Sequence, residues 1–137
     1  MSYDRILIPT DGSKTSEHII EFICSIQKAI HAEINVVYVV EVPRNLPLSA
    51  PMPDITRLAR TALDRSMDIA EKYGARINSS IIYSRTIEDS IITTAEQLQC
   101  DVIAIGQDNQ KLRIFSNTAS NIYQRAKCNV WLFNNKT

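Results

Sequence analysis

Ile6-Leu7-Ile8-Pro9-Thr10-Asp11-Gly12-Ser13 is a strand, a turn and a helix start in eight residues. Three consecutive branched apolar side chains read as a buried strand. Pro9-Thr10-Asp11-Gly12 stops it, and Ser13 stands where an N-cap belongs. The following apolar set, Ile19, Phe22, Ile23, Ile26 and Ile30, predicts a helix to about residue 30.

The same alternation continues to the end of the chain. Residues 34–42 are dominated by Val and Ile, with Tyr38 among them, and predict a strand buried on both faces. Residues 43–53 hold four of the five prolines and form an irregular connection. Asp54 then caps a second helix to about Tyr73, with Leu58, Ala62, Leu63, Met67 and Ala70 inward and Gly74 as its stop. Residues 76–83 alternate Ile77, Ser79, Ile81 and Tyr83 against polar or mixed positions, the pattern of an edge strand. Thr86-Ile87-Glu88-Asp89 resembles a capping box with Asp in place of Glu. The helix it opens carries Ile87, Ile91, Ala95 and Leu98 inward. Asp101-Val102-Ile103-Ala104-Ile105 is a fourth strand, broken by Gly106. A short helix from about Asn117 presents Ala119, Ile122, Tyr123 and Ala126, and residues 129–133 are the last strand. Five strands alternating with four helices predict an α/β fold, a doubly wound, flavodoxin- or Rossmann-like parallel sheet.

The 137 residues suit one domain, 1–137, and a hydrophobic share of 45% is enough for a core at that length. Fifteen basic residues balance fifteen acidic ones, which argues against nucleic acid or an acidic membrane as partner. Cys24, Cys100 and Cys128 are widely spaced, and neither His18 nor His31 lies near them, so no metal site and no disulfide framework is expected. The amino-terminal residues do not read as a signal peptide. No apolar run approaches the roughly 18 residues of a membrane span. The expected location is the cytoplasm, with no membrane insertion.

In an open parallel sheet the ligand crevice lies beyond the carboxyl ends of the strands, where strand order reverses. The loops after strands one and four flank it. In the first, Asp11 stands either as a turn residue beside Gly12 or as an acceptor for an adenine or a ribose. In the second, Gly106 lets a ligand approach the backbone. Ser116, Asn117 and Thr118 then add side-chain donors at a helix start, where backbone N–H groups favour an anion. Ordinary capping by Ser116 explains that start equally well.

On these residues the chain resembles the universal stress protein family over essentially its whole length. The opening octapeptide matches that family's first strand and loop. Tyr38-Val39-Val40-Glu41-Val42, Asp101-Val102-Ile103-Ala104-Ile105-Gly106 and Ala126-Lys127-Cys128-Asn129-Val130 are similar to three later blocks in the same order. The resemblance implies strand order 3-2-1-4-5 and a crevice for ATP or another adenine nucleotide, with Pro9, Asp11 and Val39 on the base side. Members that bind ATP carry Gly-x2-Gly-x9-Gly followed by Ser or Thr after the fourth strand. Here Gly106 keeps the first glycine, Asn109 replaces the second, and the final pair falls on Ser116-Asn117 in a loop three residues shorter. Asn109 tolerates left-handed backbone and stands in partly for glycine. Lys111 and Arg113 in that loop offer side-chain charge.

The last strand, Val130-Trp131-Leu132-Phe133, is apolar throughout and falls at a sheet edge, which needs a cover. A homodimer through that strand supplies one, as the resemblance also implies. The connection Glu41-Val42-Pro43-Arg44-Asn45-Leu46-Pro47-Leu48 is similar to members associated with amino-acid or ion transporters, so a protein or transporter partner is a further expectation. An enzyme is not expected: no base neighbours Ser13 or Ser116, and Asp11 alone cannot divide acid and base roles. A dimeric interaction module that binds no nucleotide is the alternative reading, and slow ATP hydrolysis is the less expected, enzymatic one. A phosphoacceptor receiver would need an acceptor Asp after the third strand, where Tyr83-Ser84-Arg85 stands.

Overall fold

The computed structural model describes residues 3–107 and 116–134, with only the backbone of Ser116 included. The element order is β1 (Arg5–Pro9), α1 (Lys14–Ile30), β2 (Glu33–Glu41), α2 (Pro53–Lys72), β3 (Ile77–Ser84), α3 (Ile87–Gln97), β4 (Val102–Gln107), α4 (Ser116–Arg125) and β5 (Asn129–Asn134). The strands form one parallel sheet in the order β3-β2-β1-β4-β5. This is the predicted fold class and order.

Alternation along the strands divides the core into two layers. Ile6, Ile8, Ile34, Val36, Val102 and Ala104 face Ile19, Ile20, Ile23 and Cys24 of α1 and Leu63 and Ala70 of α2. Leu7, Val37, Val39, Ile103 and Ile105 face Ile91 and Ala95 of α3 and Ala119 and Ile122 of α4. Burial on both faces explains why the central strands read as unbroken apolar runs. β3 at the far edge is more exposed, as its pattern predicts.

The helix faces differ from expectation in several places. Leu58 and Met67 on α2 are 62% and 46% exposed, and the buried stripe is Ala59, Ala62, Leu63, Ser66 and Ala70. These mostly small residues bring α2 close to the sheet, and the Ser66 hydroxyl donates to the Ala62 carbonyl at 3.0 Å. Phe22, Leu98 and Tyr123 also face outward, and Ile20 and Cys24 take the inward places beside Ile19 and Ile23. Asp54 does not cap α2. Met52 holds that position without a side-chain bond, Pro53 is the first helical residue, and Asp54 joins the first turn, where its charge suits the helix dipole. Thr86 occupies the N-cap of α3 but makes no side-chain cap bond, so the box does not close.

β4 passes through Gly106 to Gln107, with Gly106 opposite Phe133, rather than breaking there. A Cβ on Gly106 would stand 2.6 Å from Thr15 Cγ2 and 3.4 Å from Ile19 Cδ1, so glycine permits α1 to lie against β4. At the β5 edge, Trp131 meets Tyr3 edge-to-face at 5.2 Å, and Phe133 meets Phe22 at 5.8 Å. Val130 and Leu132 pack toward the opposite layer. The apolar side chains of β5 are thus half-buried within the chain on both faces. Among the described residues, no helix is long and apolar enough to cross a membrane.

Gly106→Ala is expected to cost roughly 1–3 kcal/mol in urea denaturation, the usual penalty of overpacking; adding Thr15→Ser, which removes the opposing methyl, should recover part of it. Burial pushes the Cys24 thiol up from 9.0 to about 11. The unfolded thiol ionises first as pH rises, so its contribution is intact below pH 9 and is lost between 9 and about 11. Stability measured across that window should fall less steeply in Cys24→Ala than in the parent.

Candidate functional site

The turn after β1 is held by a small polar network. Thr10 N–H donates to the Val37 carbonyl at 2.8 Å, keeping the turn against β2. Gly12 adopts φ +79°, a left-handed conformation open to glycine, and its N–H donates to Thr10 Oγ1 at 3.1 Å. Ser13 caps α1 as predicted, its Oγ accepting from Ser16 N–H at 3.2 Å. Asp11 Oδ1 accepts from Ser13 N–H and from Ser16 Oγ, both at 2.9 Å. Its carboxylate therefore fixes the turn and lies at the positive end of α1. Tyr38 next to Val39 senses it: burial and then the Asp11 charge raise the phenol above its ordinary value.

A cavity of ≈ 490 Å³ opens at the carboxyl edge of the sheet on the α3–α4 side. Glu41 at the end of β2 forms one wall, Thr86, Ile87, Glu88 and Asp89 at the start of α3 a second, and Thr118 and Arg125 of α4 a third. The walls are tied together by charge. Arg125 Nη2 lies 2.6 Å from Asp89 Oδ1, and its Nη1 lies 3.5 Å from Glu88 Oε1. Asn121 Nδ2 donates to Glu88 Oε2 at 2.9 Å. The Arg125 hydrogen bond, aided by one from Thr86, holds the Asp89 carboxyl below its ordinary range.

Arg85, in the turn between β3 and α3, braces the neighbouring rim. Its Nη1 donates to the carbonyls of Pro43 at 2.6 Å and Leu46 at 2.7 Å, with Val42 at 3.5 Å. One guanidinium thus pins the start of the proline-rich connection.

The predicted site residues fall into three groups. Pro9 and Val39 are buried near the ends of the two central strands, and Asp11 is half-buried at the turn. Thr118 is buried in the first turn of α4 and reaches the cavity, while Asn117 beside it is exposed. Gly106 lies in β4, and the close approach it permits is that of α1. Asn109, the Ser116 side chain, Lys111 and Arg113 lie outside the described residues. Sequence reasoning missed Glu41, Thr86, Glu88, Asp89 and Arg125. The crevice rule pointed to the loops after strands one and four, and the start of α3 enters only because α3 packs beside α4.

A second cavity, ≈ 170 Å³, lies at the other end of α3 between Ile92, Ala95, Ile103 and Ala126, with Cys100 and Cys128 in its wall. Burial raises both thiols, Cys100 to about 11, so they stay protonated at neutral pH.

The model of the universal stress protein family matches residues 2–134. A universal stress protein of Methanocaldococcus jannaschii is 27% identical, over 93% of this chain and 80% of the relative. A universal stress protein solved in complex with cAMP superposes with TM-score 0.77 at 17% identity, covering 97% of this chain and 98% of that one. The universal stress protein from Archaeoglobus fulgidus in complex with dAMP gives TM-score 0.76 at 19% identity, covering 96% and 98%.

Asp11→Asn retains the Oδ1 acceptor for Ser13 and Ser16 but gives up the charge at the start of α1, and should lower the unfolding free energy by about 0.3–1 kcal/mol. Ser13→Ala, which removes the cap, is expected to lower it by about 1 kcal/mol; chemical denaturation of the three proteins makes the comparison.

Proposed function

The chain belongs to the universal stress protein family, and from that premise we propose that it is a dimeric regulatory module whose crevice binds an adenine nucleotide. The observation that carries this reading is the cavity at the carboxyl edge of the sheet, between the end of β2 and the first turns of α3 and α4. A doubly wound topology directs ligands to that edge, and ≈ 490 Å³ is in the size range of small-molecule sites. The complexes of similarly folded universal stress proteins with cAMP and dAMP support the choice of an adenine ligand. Pro9, Asp11 and Val39 are the base-side residues in this reading; they stand beside the cavity's lining rather than in it, and Thr118 reaches the cavity from the start of α4.

Binding rather than catalysis suits the side chains at the cavity. Glu88 and Asp89, which could act as bases, are held by Arg125 and Asn121. Asp89, whose carboxyl Arg125 holds below its ordinary range, is a weak base for a reacting group. Dimerisation is read from β5. Its side chains are half-buried within the chain, and its open main-chain edge can be closed by the same strand of a second copy.

Calorimetric titration with AMP, cAMP and ATP is expected to show saturable binding of at least one of them, weakened about tenfold or more in Asp11→Asn, which keeps the turn but removes the charge. Absence of binding by all three at millimolar concentration would overturn the reading. Light scattering should report twice the chain mass, and a monomer at working concentration would remove the dimer from the proposal.

A further inference from the structure

Cys100 precedes β4 and Cys128 precedes β5, so both stand at the amino edge of the sheet, away from the crevice. They share the wall of the ≈ 170 Å³ cavity there, as free thiols packed on the same core layer. We infer that this pair forms a reversible disulfide when the protein meets a peroxide, a staple between the turn after α3 and the start of β5.

The pairing of β4 with β5 brings the two thiols within reach. Val102 stands opposite Asn129, and Asn129 N–H donates to the Asp101 carbonyl at 3.1 Å. Cys100 and Cys128 come just before these paired positions, one residue out of register with each other. Strands lie about 4.8 Å apart and rise about 3.3 Å per residue, so that offset gives a Cα separation of about 6 Å, inside the roughly 4.4–6.8 Å that a disulfide spans. Gln99 turns the chain with φ 55°, and Cys100 N–H donates to the Ala95 carbonyl at 2.8 Å. This turn fixes the Cys100 backbone against the end of α3 and sets its side chain on the layer that Cys128 also meets. A close-packed core holds side chains in place, whereas the cavity leaves both sulfurs room to turn toward one another. Cys24 offers the contrast: it lies in the other core layer, under α1.

The two thiols take unequal parts. Cys100 is buried and Cys128 is partly exposed, beside a rim formed by Lys127 and Glu96, 4.0 Å apart and open to solvent. Burial pushes the Cys100 thiol up to about 11. Burial also raises Cys128, with its own N–H and that of Ile103 pulling the other way and the Asp101 and Glu96 charges adding to the rise. The thiolate is the attacking form, and Cys128 is the sulfur that a peroxide reaches. The Cys128 thiolate attacks one peroxide oxygen; an S–O bond forms, the O–O bond breaks, and the departing hydroxide takes a proton to leave as water. The Cys100 sulfur then attacks the sulfenic sulfur; the S–S bond forms, the S–O bond breaks, and a second water carries off the Cys100 proton. Two thiols have given up two electrons, and the peroxide is reduced to water. Because both thiols are protonated at neutral pH, bridging takes on the order of minutes to hours. The staple therefore answers sustained exposure to oxidant and opens again when a thiol reductant is supplied.

The test treats the whole reduced chain with hydrogen peroxide, unfolds it in iodoacetamide and maps its peptides by mass spectrometry. The expected product has lost two hydrogen atoms, carries a Cys100–Cys128 bridge and is alkylated at Cys24 alone; dithiothreitol should restore alkylation at all three cysteines. The bridged chain should also unfold at a higher urea concentration than the reduced one, because the bond restricts the unfolded chain. Peroxide should leave the midpoint of Cys128→Ser where it was. The mapping needs no variant, so the test stands even if the serine variant fails to fold. Alkylation of all three cysteines after peroxide, addition of oxygen without a bridge, or a bridge that joins two chains or includes Cys24 would overturn the inference.

Discussion

Complete burial of Ile6, Leu7 and Ile8 is the constraint on which the rest of this structure depends. Side chains on both faces of β1 must leave water, and a strand can manage that only when each face is covered by a separate layer. Its hydrogen-bonding edges must also be filled, which β2 and β4 do from either side. Helices on both faces of a parallel sheet require crossovers of one hand, and crossovers of one hand require the winding direction to reverse beside β1. The crevice at the carboxyl edge is a consequence of how the central strand is buried.

What occupies that edge is decided by polar groups that also have structural work. Asp11 accepts two hydrogen bonds that shape the turn into α1. Glu88, Asp89, Asn121 and Arg125 join α3 to α4. These bonds set where the walls stand and what electrostatic face they show. A guanidinium shared between two carboxylates braces two helices. Arg85 has a parallel role on the rim, where its single guanidinium meets the carbonyls of the proline-rich connection.

The order of elements and the strand cores could be read directly from the residues. Ile6-Leu7-Ile8 and the Val-rich second strand have no polar face, which only a doubly covered strand tolerates. Ser13 was legible as a cap because its hydroxyl acts within three residues of its own position. The helix faces were less legible. On α2 the large apolar residues Leu58 and Met67 suggest one stripe, while the close approach to the sheet selects the small residues Ala59, Ala62, Ser66 and Ala70. Size, rather than hydropathy, decided which side turned inward. Tyr123 and Phe22 show the same effect, since aromatic bulk suits a margin of the core better than its narrow centre.

The sequence by itself determined the alternation of strands and helices, the doubly wound sheet and the family, because those depend on local periodicity and on blocks of residues close together in the chain. The sequence also identified the turn at Asp11 and Gly12, where short-range hydrogen bonding and backbone conformation suffice. Only the tertiary structure decided that Gly106 serves the packing of α1, and that the crevice wall is built from Glu41, Glu88, Asp89 and Arg125. The residues of that wall come from β2, α3 and α4, up to 84 positions apart in numbering between Glu41 and Arg125. No periodicity within one element encodes such a meeting. It arises when helices packed on one face of the sheet bring their polar margins together.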